Sequence, residues 1–213
     1  MKPSSTAVWL VFAGCGGCAA WLDLDGDYVT APIDAGIDAL ENACADGAGG
    51  NGLSDAGSEY CTQITTACTN SFAQYPSEAS CREVAMAFPA GTEGDKEGNS
   101  MACRKTYATI AASPFQVNSC MFAGPAGGGR CGSICEGFCD IAVKTCAKQW
   151  PNKLECQNTC ALFPTNGQGF NTSFITGNSI ECRLNHLLLA AQSIDCAANC
   201  ANTGIESSAC TGD

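Results

Sequence analysis

From residue 58 onward the apolar positions recur at helical spacing. Cys61, Ile64, Cys68 and Phe72 fall on one helical face, and further on Cys139, Val143, Cys146 and Trp150 do the same. Pro76 and Pro151 punctuate these runs, and Asn152 with Glu155 makes a capping-box pattern that opens the next helix. On that helix Cys156, Cys160 and Phe163 line one face; Cys81, Val84, Ala85 and Phe88 do so in the earlier stretch. Pro89 and Pro164 are expected to end these helices, because proline removes a backbone donor and clashes with the preceding turn. Asn99-Ser100 and Asn178-Ser179 are N-cap candidates for a third helix in each stretch. Alternating, strand-like runs are scarce. The pattern predicts an all-α, disulfide-rich fold built from two tandem three-helix units.

The two stretches agree in detail. Tyr60-Cys61 with Cys68 matches Phe138-Cys139 with Cys146, and Cys81 to Phe88-Pro89 matches Cys156 to Phe163-Pro164 at the same spacing. Gly98-Asn99-Ser100-Met101-Ala102-Cys103-Arg104 matches Gly177-Asn178-Ser179-Ile180-Glu181-Cys182-Arg183, and Cys131 corresponds to Cys210. So many agreements in one order predict an internal duplication. The expected organisation is a signal peptide over residues 1–14, a lipidated acidic flexible spacer over 15–57, and cysteine-rich helical repeats over 58–134 and 135–213.

Cys103-Arg104, Cys120-Met121-Phe122-Ala123-Gly124-Pro125 and the glycine-rich run to Cys131-Gly132 resemble a repeat in uncharacterised cysteine-rich lipoproteins of environmental Gram-negative bacteria. The resemblance covers most of residues 58–213 and implies a scaffold without naming an activity. Those relatives often carry His four residues after the Cys-Arg cysteine and again after the later cysteine. Here Tyr107 and His186 occupy the first place in the two copies, and Phe122 takes the second.

The N-terminus reads as an export signal, with Lys2 ahead of the short apolar core Ala7-Val8-Trp9-Leu10-Val11-Phe12-Ala13. Phe12-Ala13-Gly14-Cys15 resembles the lipobox of bacterial lipoproteins, with Phe12 where that pattern prefers Leu. The resemblance implies that Cys15 becomes the acylated N-terminus, so the membrane is reached through a lipid anchor rather than a span. Gly16 follows, and by the lipoprotein sorting rule a residue other than Asp there implies the outer membrane. The plainer alternative is an ordinary cleaved signal with Cys15 as a bystander. Either route delivers the chain to an oxidising space, where disulfides persist.

Charge changes the picture of the segment that follows. The chain carries a net charge of −11, yet residues 21–60 hold nine carboxylates and no Lys or Arg. Such a run buries little apolar area and repels itself, so an extended spacer is expected there. Asp23-Leu24-Asp25-Gly26-Asp27 has the start of a calcium loop, but Tyr28 replaces the turn glycine and Asp34 the bidentate Glu. It reads as a solvated acidic leader. Ten Lys and Arg in the whole chain leave too few cations for a nucleic-acid partner.

Candidate chemistry is sparse. His186 is the single histidine, which excludes mechanisms and metal sites that need two. There is no Cys-x-x-Cys-His for haem and no Gly-x-Ser-x-Gly elbow for a serine nucleophile. Gly124-Pro125-Ala126-Gly127-Gly128-Gly129-Arg130 lacks the Lys-Ser/Thr of a phosphate loop and reads as a connector. Cys182 and His186 stand four apart on a predicted helix, as two metal ligands or as a thiolate–imidazole pair; a packed, hydrogen-bonded ring is the simpler account. No catalytic residue, metal or cofactor is expected. The leading reading is a non-enzymatic lipoprotein, a structural or binding module of the cell envelope with an unidentified envelope or extracellular protein or ligand as partner.

The alternative is an exported thiol-based Cu(I)-binding protein. Cys131/Cys135, Cys135/Cys139, Cys156/Cys160 and Cys196/Cys200 are Cys-x-x-x-Cys pairs that set two sulfurs on one helix face, and soft thiolates select Cu(I). Sixteen cysteines from Cys44 to Cys210, an even number, favour a closed disulfide set. Facing residues of a tight antiparallel hairpin have nearly constant index sums. That rule predicts Cys146–Cys156 and Cys139–Cys160 in the second unit and Cys68–Cys81 in the first. It sends Cys61 to a partner outside its hairpin, with Cys44 and Cys135 as candidates.

Overall fold

The computed structural model of the chain describes residues 55–113 and 116–212. The expectations for the signal, the Cys15 lipobox, Cys44 and the acidic leader up to residue 54 fall outside the described residues; residues 55–57, expected in the extended spacer, are instead the start of a helix. The described residues form eight α-helices and no strand, an all-α, disulfide-rich fold. Four helices make the first half: α1 (Asp55–Ala67), α2 (Glu78–Ala85), α3 (Met101–Ala111) and α4 (Cys120–Ala123). Four make the second: α5 (Ile134–Thr145), α6 (Lys153–Cys160), α7 (Ile180–Ala191) and α8 (Cys196–Ala201). The short α4 and α8 are additional to the three helices per half that the pattern predicts. No helix among the described residues is long and apolar enough to cross a membrane.

Side-chain caps start these helices by satisfying amides that have no partner within the helix. The Ser77 hydroxyl accepts from the Ser80 amide, Ser100 from Cys103, Asn152 from Glu155 and Ser179 from Cys182. Ser133 and Glu136 form a full capping box on α5. Several helices end earlier than the apolar spacing suggests. Asn70 adopts φ of +53° just after α1, so Phe72 lies in a separate turn and is 40% exposed instead of continuing the α1 face. Cys146 leaves helical geometry at the end of α5, and Trp150 is turned inward by a loop. Phe88 and Phe163 lie past the ends of α2 and α6, where they pack against arginines.

Helices of this length are marginal in isolation, so packing and sulfur must hold them. The described residues fall in one compact unit with a continuous core containing Tyr60, Ile64, Phe138, Ile141, Leu184 and Leu187. Helix α7 is the keystone: it packs against α2 of the first half and α5 of the second. The Ser80 hydroxyl on α2 donates to the Leu188 carbonyl on α7 at 2.9 Å. Gly137 lets α5 approach the first half closely, since a Cβ there would fall 2.0 Å from the Pro125 carbonyl oxygen.

Seven disulfides join described cysteines, with Cα separations of 5.6–5.8 Å that suit unstrained bonds. Three recur at matched positions in the halves: Cys61–Cys81 and Cys139–Cys156, Cys68–Cys120 and Cys146–Cys200, Cys103–Cys131 and Cys182–Cys210. The seventh, Cys135–Cys160, is a second rung on the α5–α6 hairpin. Its counterpart positions four residues outside Cys61–Cys81 are Gly57 and Ala85. Cys196 is disulfide-bonded as well.

These bonds correct the predicted pairing. Cys68, Cys81, Cys139, Cys146, Cys156 and Cys160 are all bonded, but Cys146–Cys156, Cys139–Cys160 and Cys68–Cys81 do not form. The cause is the turn. The α5–α6 connection takes residues 146–152 and the α1–α2 connection residues 68–77, so neither hairpin is tight. The longer turns shift the register until Cys139 faces Cys156 and Cys61 faces Cys81. Cys61 therefore pairs within its own hairpin, while Cys68 and Cys146 are released to reach α4 and α8.

Candidate functional site

Two buried arginines organise the two halves in the same way. Arg104 on α3 is 0% exposed; its Nε donates to the Gly124 carbonyl at 3.2 Å and its Nη1 to Ser100 at 3.1 Å. Its Nη2 reaches the Asn99 amide oxygen at 2.9 Å and the Pro125 carbonyl at 3.3 Å. The guanidinium stacks 3.7 Å from the centre of the Phe88 ring. Arg183 on α7 repeats the arrangement, with Nε to Gly204 at 3.1 Å, Nη1 to Ser179 at 3.0 Å and the Phe163 ring at 4.0 Å.

A planar, five-donor guanidinium suits this task, because it gathers several carbonyls in one plane while an aromatic face covers it. Burial pulls the Arg104 pKa below the usual arginine value, opposed by Tyr75, Tyr60, Asp140 and Glu136. Desolvation acts on Arg183 in the same direction. From Arg104 a polar relay crosses between the halves. Asn99 donates to Asp140 on α5 at 2.6 Å, and Asp140 is ion-paired with Lys153 at the start of α6. These groups hold carbonyls and each other.

The cysteine–histidine pair singled out from the sequence is also accounted for. The sulfurs of Cys182 and Cys210 and a ring nitrogen of His186 lie within 4.8 Å of one another, but the two sulfurs are bonded to each other. A disulfide offers no thiolate to a metal or substrate. His186 Nδ1 meets the Asn199 amide oxygen at 2.7 Å and Nε2 the Ile175 carbonyl at 3.2 Å, a hydrogen-bonded ring. At the matching place Tyr107 packs edge-on to Phe122 with centroids 5.1 Å apart. The Cys-x-x-x-Cys pairs likewise point their sulfurs into bonds: Cys135 and Cys139 face Cys160 and Cys156 as two rungs.

What the sequence did not single out is a cavity where the halves meet. It has a volume of about 340 Å³ and is lined by Met121, Ala126, Ile134, Gln168, Phe170 and Glu181, with glycine backbone between them. A smaller space of about 80 Å³ shares Met121, Gln168 and Phe170 and adds Gln74. One wall is the loop between Pro164 and Ser179, four residues longer than its counterpart between Pro89 and Ser100. The extra length crosses to the first half, where the Thr172 amide donates to Ala73 at 2.9 Å and Gln74 Nε2 to Phe170 at 3.0 Å. Both glycines of that loop's first turn, Gly167 and Gly169, have positive φ, which bends the chain back over the cavity. Glu181 is the polar residue of interest: it is 3% exposed, and Ala102 stands in its place in the other half. The signal available in the sequence was this departure from matched positions, a carboxylate and a longer loop in one copy only.

No protein-family model, curated protein or solved structure matches the chain.

Proposed function

We propose that this protein is a non-enzymatic, disulfide-stapled lipoprotein that serves as a structural or binding module at the bacterial cell envelope. The observation that carries the reading is the sulfur framework: seven disulfides cross-link short helices, and the two buried arginines are spent on backbone carbonyls. Such a framework belongs to an oxidising compartment and resists local opening. The matched bonds and the matched arginine–phenylalanine stacks support an origin by duplication of one cysteine-rich helical unit. The export signal and Cys15 supply the anchor, with the acidic leader as a tether that holds the stapled body away from the outer membrane.

A thiol titration on protein purified from the periplasm without reductant tests the reading. About two or fewer free thiols are expected. A dozen or more, with tight Cu(I) uptake, would overturn it in favour of a thiol-based copper protein. The anchor has its own test: Cys15→Ser should move the protein from the membrane pellet to the soluble fraction, because it removes the acylation nucleophile. Retention in the pellet refutes the lipid anchor.

A further inference from the structure

We infer that the cavity between the halves is a binding site for a small organic ammonium compound, with Glu181 as the counter-ion. The inference rests on the reading of the protein as a binding module and names the ligand class of the cavity at the junction of the halves.

Glu181 is a buried carboxylate. Charged groups taken out of water are normally paired, because isolated burial of an ion is strongly unfavourable. The other buried carboxylate among the described residues, Asp140, follows the rule with Lys153 and Asn99. Glu181 does not. Its Oε2 accepts one hydrogen bond, from the Asn166 amide at 3.1 Å, and among the described residues no Lys or Arg forms an ion pair with it. The N-terminal turn of α7 adds a favourable dipole but no full positive charge. Oε1 accepts no hydrogen bond from any described residue. The carboxylate therefore keeps acceptor capacity facing a cavity rather than a partner.

The rest of the lining fixes the ligand's body. Met121, Ala126, Ile134 and Phe170 are apolar, and about 340 Å³ lies in the range of small-molecule sites, mostly apolar with a few convergent polar groups. A primary ammonium compound with a short aromatic or aliphatic body satisfies both features. The cation meets Glu181, and the body covers the Phe170 and Ile134 side. The Pro164–Ser179 loop, longer than its counterpart in the other half, provides one wall for it.

The test uses the full oxidised chain and two probes of equal shape, 2-phenylethylammonium and 2-phenylethanol, titrated by calorimetry and by ligand-observed NMR. Saturable binding of the ammonium is expected, with the alcohol about tenfold or more weaker, since a charge-assisted hydrogen bond contributes that much discrimination. Glu181→Gln keeps an acceptor for the Asn166 amide, and should reduce ammonium affinity by about tenfold while leaving the alcohol unchanged. Thr165→Trp, an exposed position on the cavity rim, keeps the test decisive if Glu181→Gln unfolds: it should block both probes without changing the helix content. Equal binding of the two probes, unchanged ammonium affinity in Glu181→Gln, or no saturable binding at concentrations on the order of 10 mM each overturns the inference. A thiol count of two or fewer alongside such a result leaves the stapled-module reading standing and removes only the amine site.

Discussion

The two rungs of the α5–α6 hairpin permit a quantitative test of how the sulfur framework stabilises the protein. Removing Cys135–Cys160 by paired substitution to Ala leaves Cys139–Cys156 in place only four residues inside it on each side. The bond therefore closes a small ring made of the spans 135–139 and 156–160, and not the full loop of separation 25. Chain-entropy arithmetic for a ring of about ten residues gives roughly 2.7 kcal/mol, against about 3.5 kcal/mol had the inner rung been absent. The matched comparison is Cys146–Cys200, of sequence separation 54. The route through Cys182–Cys210 shortens its ring only slightly, so its loss should cost about 4 kcal/mol. The two double-Ala variants should differ in thermal midpoint by roughly 3–5 °C, at about 2–4 °C per kcal/mol for a body of this size. Far-UV circular dichroism during thermal and urea unfolding, without reductant, measures both. Equal losses, or a larger loss from the hairpin rung, would refute the nested-ring reasoning.

Arg104→Met should cost about 3–5 kcal/mol in urea unfolding, because it removes four hydrogen bonds of a buried guanidinium, three of them fully buried. Arg183→Met, with two such bonds, should cost less, about 2–3 kcal/mol. Raised pH should unfold the protein through the Tyr60–Tyr75 pair, whose hydroxyls are 2.9 Å apart in the core. Burial pushes the Tyr75 pKa up to about 12, and Tyr60 is raised as well. A pKa raised on folding means the stabilisation is complete below the unfolded value near 10 and is lost as pH climbs through about 12. Phenolate absorbance and helix content should therefore change together across that window, and separate transitions would count against the burial argument. Gly137→Ala should destabilise by about 1–3 kcal/mol, since the new methyl meets the Pro125 carbonyl and α5 must retreat; an unchanged urea midpoint would contradict that contact.

How much of this was legible in the sequence follows from the range of each interaction. Helix type and start were local: Ser100, Ser179 and Asn152 cap where their side chains and neighbours predict. Helix ends were not. Phe72 and Trp150 kept the apolar period past residues whose backbone leaves the helix, because hydrophobic spacing marks burial and not hydrogen bonding. The disulfide register failed for the same reason, as turn length depends on where Trp150 and Tyr75 insert into the core. The short α4 and α8 have too few residues to show a period. The arginine stacks were visible only as recurring Cys-Arg and Phe-Pro pairs, without any sign that one closes over the other. The cavity needed the packed halves, and its carboxylate could be noticed beforehand only as Glu181 against Ala102.

The two longest bonds also bear on survival of a cut chain. Cys68–Cys120 spans the loop around Gly94, and Cys146–Cys200 spans the loop around Gly169. Both loops run largely along the surface, where a protease finds its substrate. Cleavage in either one leaves the fragments covalently joined, with the helices on both sides still pinned to the shared core. A protein so built tolerates nicking: its outline on a non-reducing gel stays that of one chain, and only added reductant reveals the wound.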